Sequence, residues 1–255
     1  MKLAKYLVLS LLVVIAIAAF SNTNNFSIAE SIKWGYSGAK GPNNWGDISP
    51  EFAACKLGNE QSPINLESDS EPNLPQIKFT YDDTPFNIVN NGHTIKVNYK
   101  PGSRIIIGNK EYELLQFHFH APSEHTLNGK SYPMEVHLVH QSADGEYAVL
   151  GVFIEEGKEN EFINVLWSNI PSSGEENTVS GVEVNASALP PQNKSYYRYD
   201  GSFTTPPCTE GVSWNVFTTP IEASTEQITK FTSFYNGNAR PVQPLNNRKL
   251  ETTRE

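Results

Sequence analysis

Short apolar runs separated by turn residues dominate the hydrophobic pattern from residue 77 onward. Alternation of apolar and polar positions, with many β-branched and aromatic side chains, predicts strands. The pairs Asn91-Gly92, Pro101-Gly102 and Asp144-Gly145 predict turns between them. The predicted strands are Ile77 to Tyr81, His93 to Tyr99, Arg104 to Ile107, Tyr112 to His120, Met134 to Gln141, Tyr147 to Ile154 and Val212 to Phe217.

A helical period occurs in two segments. The first has apolar residues at helical spacing ahead of Pro171, namely Ile163, Leu166, Trp167 and Ile170. The second begins at Ser224 and Gln227, whose spacing is typical of a capping box, and ends before Gly237. Residues 31–50, rich in Gly, Pro, Asn and Trp, predict an extended arm rather than a helix. The pattern therefore predicts one mainly β domain with peripheral helices (α+β).

The first 29 residues have the pattern of a secretory signal peptide. Lys2 and Lys5 precede an apolar run from Tyr6 to Phe20, and small residues offer cleavage sites between about 19 and 30. This run is shorter than the roughly 18 to 20 apolar residues that span a bilayer, which favours cleavage over an uncleaved anchor. We expect an exported protein, periplasmic or extracellular, with one domain over residues 31–255 and no stable membrane span after processing.

The net charge narrows the choice of partner. A formal charge of -9 at pH 7 argues against nucleic acid and anionic membranes, because both select clustered Lys and Arg. We therefore expect a small-molecule substrate.

The cysteine content indicates a disulfide. Cys55 and Cys208 are the two cysteines of the chain. An exported protein meets oxidising conditions, and an isolated pair is too small for a structural zinc site with four ligands. A disulfide is therefore expected, and two buried free thiols are the alternative.

Five of the six histidines lie between His118 and His140. His118 and His120 share one strand face because side chains alternate along a strand. If the next strand pairs with this one, His137 joins them as a third imidazole. Three neutral imidazoles leave one position of a tetrahedral zinc ion open for water, as in a catalytic site. The alternative is a set of core or surface histidines on a half-buried sheet.

Two polar residues are placed to support these histidines. Metal-binding histidines usually donate their second N–H to an acceptor. Gln116 and Glu135 lie two residues before His118 and His137, on the same strand faces. We expect them to serve as these acceptors, with exposed polar residues as the alternative interpretation.

Several motifs, in this order, resemble the α-class carbonic anhydrases, in particular the bacterial type. They are Trp34-Gly35-Tyr36, Gln61-Ser62-Pro63-Ile64, Asn91-Gly92-His93, Gln116 to His120, Ser123-Glu124-His125-Thr126, Glu135 to His140 and Gly201 to Pro207. The resemblance covers about residues 34–250. It implies a large, twisted, mostly antiparallel central sheet with zinc in a conical cleft. It also implies reversible hydration of CO2 to bicarbonate and a proton by zinc-bound hydroxide, with ester hydrolysis as a secondary activity.

The resemblance also assigns roles to single residues. It implies that His118, His120 and His137 bind Zn²⁺. Gln116 is the implied support of His118, and Glu135 is that of His137.

Around the reacting group, the resemblance implies that Thr204 orients the hydroxide and hydrogen-bonds to Glu124. His93 is the implied proton shuttle, although a surface turn histidine is the alternative. Tyr36, Asn91 and Thr205 are expected to order the waters of the proton path. The implied substrate-binding residues are Val139, Val149, Phe203, Thr204, Thr205, Val212 and Trp214.

Two positions depart from the family pattern. Lys96 stands where many members have a neutral polar residue, and we expect it to lower the pKa of His93. Phe203 stands where leucine is usual, and we expect it to narrow the pocket. A zinc ester hydrolase and an inactive binding module are the rival functions, and the intact ligand positions argue against the second. The sequence leaves both a monomer and a homodimer open.

Overall fold

The computed structural model describes residues 33–67, 74–235 and 237–253, so the predicted signal peptide lies outside the described residues. The strands, numbered in chain order, are β1 (Asn65–Leu66), β2 (Ile77–Thr80), β3 (Thr84–Asn90), β4 (Ile95–Asn98), β5 (Arg104–Ile107), β6 (Lys110–His120), β7 (Thr126–Leu127), β8 (Met134–Gln141), β9 (Tyr147–Glu156), β10 (Glu175–Val184), β11 (Tyr196–Ser202), β12 (Glu210–Phe217), β13 (Ile221–Ala223) and β14 (Glu251–Thr252). The α-helices are α1 (Trp45–Ile48), α2 (Ala54–Leu57), α3 (Glu161–Trp167) and α4 (Thr225–Phe234). Short 3-10 helices cover Gly38–Lys40, Pro42–Asn44, Pro50–Phe52 and Ala186–Ala188.

Twelve of the described strands form one large mixed sheet. The order along its main path is β10-β3-β4-β6-β8-β9-β12-β11-β14, with β5 beside β6, β2 beside β5 and β13 beside β9. Most neighbours are antiparallel, but β12 and β13 each pair with β9 in parallel. The expected mainly β fold, with a large and mostly antiparallel sheet, is confirmed. In the described ranges, no helix is long and apolar enough to cross a membrane.

All seven predicted strands are present, and β5 and β8 have the predicted ends. Three further long strands, β3, β10 and β11, were not predicted. Most side chains of β10 are exposed because this strand lies at the edge of the sheet, so it lacks the alternation of a half-buried strand.

Both predicted helices are present as α3 and α4. The side chain of Asn160 caps α3 by accepting from the N–H of Ile163. At α4, Ser224 and Gln227 exchange both hydrogen bonds of a capping box. The prediction of an arm without helix over residues 31–50 is wrong, because two 3-10 turns and α1 lie there. The buried Trp45 indole stabilises these turns by donating to main-chain oxygens.

The two faces of the sheet bury different side chains. One face contributes Phe117, Leu138 and Leu150 to a large apolar core that includes residues of α3 and α4. The other face contributes a smaller apolar cluster that includes Val139 and Trp214. The side chains of the second face surround the histidines described below.

An irregularity in β6 turns the histidines toward the second face. Pairing with β8 shifts between Leu114 and Gln116, which leaves Leu115 out of register. A bulge of one residue exchanges the two faces of a strand. Leu114 therefore shares the core face with Phe117, whereas His118 points to the opposite face.

Candidate metal centre

Strands β6 and β8 bring three imidazoles together. His118 and His137 are directly opposed in the antiparallel pair, and His120 lies two residues further along β6. The potential ligand atoms of these three residues lie within 4.8 Å of one another. His120 and His137 are buried, and His118 is half-buried. The structure thus places the three predicted ligands in one cluster.

Hydrogen bonds on the outer side of each ring determine which nitrogen faces the cluster. The contacts are His118 Nδ1 to Gln116 Oε1 at 2.9 Å, His120 Nδ1 to the Asn238 carbonyl at 2.7 Å and His137 Nε2 to Glu135 Oε1 at 2.9 Å. These acceptors leave Nε2 of His118, Nε2 of His120 and Nδ1 of His137 as lone-pair donors. Nε2 of His120 is buried without a hydrogen-bond partner. A metal ion would satisfy this nitrogen.

Burial keeps the three imidazoles neutral. It lowers the pKa of His120 to about 4 and the pKa of His137 below its usual value. Burial, together with the charge of Lys96, holds the pKa of His118 well below its usual value. Neutral imidazole is the form that binds zinc. The donor set and its protonation therefore fit a zinc ion.

Glu135 supports the cluster from behind. Its Oε1 accepts from His137 Nε2 and from His125 Nδ1 at 2.8 Å, and its Oε2 accepts from the N–H groups of Glu124 and His125, both at 2.9 Å. Burial by itself would raise the pKa of Glu135, but the hydrogen bonds from His125 and His137 hold it well below its usual value. The charged carboxylate therefore fixes the orientation of His137.

His125 extends this support, a role that the sequence analysis missed. Its Nε2 lies 2.7 Å from the Tyr199 hydroxyl, which donates to Ser62 Oγ at 2.9 Å. His125 and Tyr199 are both buried. The motif Ser123 to Thr126 drew attention to His125, but its partner Tyr199 lies 74 positions away.

Glu124 lies beside the ligand nitrogens. Its Oε2 is 3.5 Å from His120 Nε2 and 3.8 Å from His137 Nδ1, and its Oε1 accepts from the N–H of Arg240 at 2.8 Å. Burial raises the pKa of Glu124 to about 7, although His137, the Arg240 N–H and a side-chain hydrogen bond with Thr204 act in the opposite direction. Oε2 itself has no partner at hydrogen-bond geometry. Thr204 thus lies near Glu124 in the structure.

The predicted apolar substrate wall forms one cluster. Four of its members are at most 6% exposed and belong to β8, β9 and β12, namely Val139, Val149, Val212 and Trp214. The Trp214 ring lies 4.8 Å from the His137 ring. Phe203 packs against the cluster and meets Tyr147 edge-on, with ring centroids 4.9 Å apart. Tyr147, which the sequence analysis did not assign to the site, therefore extends the wall.

His93 lies in the turn before β4. Its ring stacks on Trp34 at 3.8 Å with an angle of 7°, and the Tyr36 ring lies 6.5 Å away. Asn91 Oδ1 accepts from the N–H groups of His93 and Thr94, both at 2.9 Å, so this oxygen shapes the turn. Partial burial lowers the pKa of His93.

Lys96 affects the pKa of His118 rather than that of His93, which was the expectation. It lies directly opposite His118 in the β4–β6 pair, and its charge lowers the pKa of His118. The lowered pKa of His93 comes from burial.

A disulfide joins Cys55 in α2 to Cys208, four residues after Thr204. The buried guanidinium of Arg240 donates to the Cys55 carbonyl at 2.8 Å and to the Ser62 carbonyl at 2.7 Å. These bonds attach α2 to the segments that contain Thr204 and Arg240.

Three comparisons with known proteins agree. The model of the family "eukaryotic-type carbonic anhydrase" matches residues 40–254. Carbonic anhydrase from Nostoc sp. is 44% identical over 226 residues, which cover 86% of each chain, and carbonic anhydrase from Pectobacterium carotovorum is 41% identical over 223 residues, 87% of this chain and 91% of the relative. The solved α-carbonic anhydrase of Thermovibrio ammonificans, in complex with the inhibitor sulfanilamide, superposes with a TM-score of 0.84 at 46% identity and covers 86% of this chain and 99% of its own.

Proposed function

The chain belongs to the eukaryotic-type carbonic anhydrase family and catalyses the reversible hydration of CO2, and we propose that it does so with a zinc ion held by His118, His120 and His137. The observation that carries this proposal is the convergence of three neutral imidazoles on one point, with Nε2 of His120 buried and unpartnered. A zinc ion held by these three imidazoles would lower the pKa of a bound water molecule and so would supply a hydroxide nucleophile near neutral pH.

Thr204 and Glu124 orient the reacting water. A Thr204 hydroxyl that donates its proton to Glu124 can only accept a hydrogen bond from that water. This orientation would leave the water's other lone pair free to face the apolar wall of Val139, Val212 and Trp214. This wall holds CO2 weakly and offers no competing hydrogen bonds.

His93 carries the product proton to buffer. Its lowered pKa makes the ring a neutral acceptor at pH 7. Tyr36 and Thr205 order the intervening waters, and Asn91 contributes by holding the turn. Because the acceptor is the unprotonated ring, turnover at low buffer concentration rises with pH and levels off above a pKa that lies below 6.5. A pH profile of turnover at constant ionic strength measures this value.

Residues 1–29 form a signal peptide, and the mature enzyme works outside the cytoplasm. The Cys55–Cys208 disulfide supports this placement, because disulfides persist in oxidising compartments. Mass spectrometry of the protein recovered from the periplasm or medium tests both statements, since an intact N-terminus or a purely cytoplasmic location would contradict them.

The decisive experiment is stopped-flow CO2 hydration by the mature chain as isolated, after zinc removal and after zinc is restored. We expect hydration to disappear with the metal and to return with it. Hydrolysis of an aryl ester, measured on the same samples, separates a hydratase from a zinc ester hydrolase. Zinc binding without hydration above the buffer rate would refute the assignment.

A further inference from the structure

Asn238 connects the metal ligands to the turn that carries the proton shuttle. It follows α4 in the chain and is 1% exposed. Its carbonyl accepts from His120 Nδ1 at 2.7 Å, and its Oδ1 accepts from the N–H of Ala121 at 2.8 Å. Its Nδ2 donates to the carbonyls of His93 and Phe119, both at 3.0 Å. One buried residue thus contacts both the His93 turn and the end of β6.

These contacts lie where the pairing of β4 with β6 has ended. The register between β4 and β6 ends at Lys96 opposite His118. Beyond that pair, the Thr94 hydroxyl donates to the Phe119 carbonyl and accepts from the Phe119 N–H at 3.2 Å. Asn238 Nδ2 joins the same carbonyl to the carbonyl of His93. Thr94 and Asn238 therefore hold the turn against β6 where the ladder is absent.

The main chain of His93 is consequently fixed on both sides. Asn91 Oδ1 holds its N–H, and Asn238 Nδ2 holds its carbonyl. A side chain can adopt only the rotamers that its main chain permits. Proton transfer through ordered waters depends on where the ring is placed, and small displacements of a reacting group have large effects on rate.

We propose that the side-chain amide of Asn238 is a positioning group for His93, separate from the role of its carbonyl at His120. This inference rests on the proposed shuttle function of His93. The two roles can be separated by mutation, because a substitution removes the amide and leaves the main-chain carbonyl in place. The two roles also affect different kinetic constants. The ligand role affects kcat/KM for hydration, and the shuttle role affects kcat when buffer is scarce.

The test uses Asn238→Asp, which keeps the Oδ1 acceptor of the Ala121 N–H and removes both Nδ2 donors. We expect kcat at low buffer to fall by about fivefold, which is a larger fall than that of kcat/KM, in protein that still binds zinc. Added imidazole should restore kcat, since it replaces the shuttle. In a His93→Ala background, the same substitution should have no further effect on low-buffer kcat.

Three outcomes would overturn the inference. They are an unchanged low-buffer kcat, an equal fall of kcat/KM, kcat and zinc content, and an undiminished effect in the His93→Ala background. Failure of the shuttle assignment itself is distinguishable, because His93→Ala alone would then leave low-buffer kcat unchanged. If Asn238→Asp does not fold, the isosteric Thr94→Val, which removes the hydroxyl that holds the same turn, is measured in the same cycle and must show the same dependence on His93.

Discussion

Two buried histidines of β8 show how the site face of the sheet differs from its core face. His137 and His140 lie three residues apart on opposite faces, and neither is more than 1% exposed. Burial lowers the pKa of both, that of His140 to about 3. His137 meets two other imidazoles and the Glu135 carboxylate, whereas His140 Nε2 meets the Tyr81 hydroxyl at 2.7 Å within the apolar core.

The comparison teaches that burial alone does not make a ligand. Both rings are neutral, and neutrality is a requirement for binding zinc. His137 differs because Glu135 orients it and because two further donors converge with it. His140 contacts the Tyr81 hydroxyl and belongs to neither of the groups of three potential metal-binding side chains found among the described residues.

Replacing the histidine of the site face should abolish zinc binding and hydration, whereas replacing the histidine of the core face should preserve both. We expect His137→Ala to lose zinc and to reduce hydration to the buffer rate, because two imidazoles make an incomplete site. His140→Gln, which can still accept from Tyr81, should keep full zinc content and hydration within about twofold. Metal analysis and stopped-flow hydration on both variants decide, and equal zinc content in the two would break the distinction between the faces.

Weakening the support of His137 should have the next largest effect. We expect Glu135→Gln to reduce zinc affinity or hydration by roughly 10- to 100-fold, because the charged acceptor behind His137 and His125 is lost. Gln116→Ala is the matched variant behind the half-buried His118 and should have a smaller effect. Competition with a chelator measures both affinities. A larger loss for Gln116→Ala would contradict the central role given to Glu135.

His140, on the core face, should affect the stability of the protein in acid rather than its zinc binding. Its pKa is about 3 in the folded chain and about 6.5 when unfolded, so the unfolded chain takes up a proton that the folded chain does not as pH falls below 6.5. His140 therefore reduces the free energy of unfolding by roughly 2 kcal/mol between pH 7 and pH 5. In His140→Gln this loss should be absent. Urea unfolding at the two pH values measures the difference, and an identical fall in both proteins would refute it.

Substitutions of one aromatic residue near the site and one in the apolar core should differ least in their effects. Phe203 meets Tyr147 beside the substrate wall, whereas Phe217 lies in the apolar core. We expect Phe203→Leu to widen the pocket and to raise kcat/KM for an aryl ester several-fold relative to CO2 hydration. Phe217→Leu should reduce stability by about 1–3 kcal/mol without changing that ratio. An unchanged ratio in Phe203→Leu would exclude Phe203 as a determinant of substrate size.

Much of the site could be predicted because its signals are local. The two-residue period of a strand places His118 and His120 on one face and His137 beside Glu135, and the run in β8 separates His137 from His140 by the same rule. The spacing of Ser224 and Gln227 predicted the capping box of α4, and Asn91-Gly92 and Asp144-Gly145 marked the turns of two hairpins. Such features depend on neighbouring residues, so the sequence by itself determined them.

The tertiary structure decided the contacts between distant residues. Asn238 reaches His120 across 118 positions, His125 meets Tyr199 across 74, and Tyr147 at the start of β9 meets Phe203, which follows β11. The bulge at Leu115, which turns the histidines of β6 to the site face, depends on the register with β8. Periodicity shows which face a side chain takes, but register and chain crossing determine what it meets there. For this reason the cluster of three histidines could be predicted from the sequence, and most of the residues that hold it in place could not.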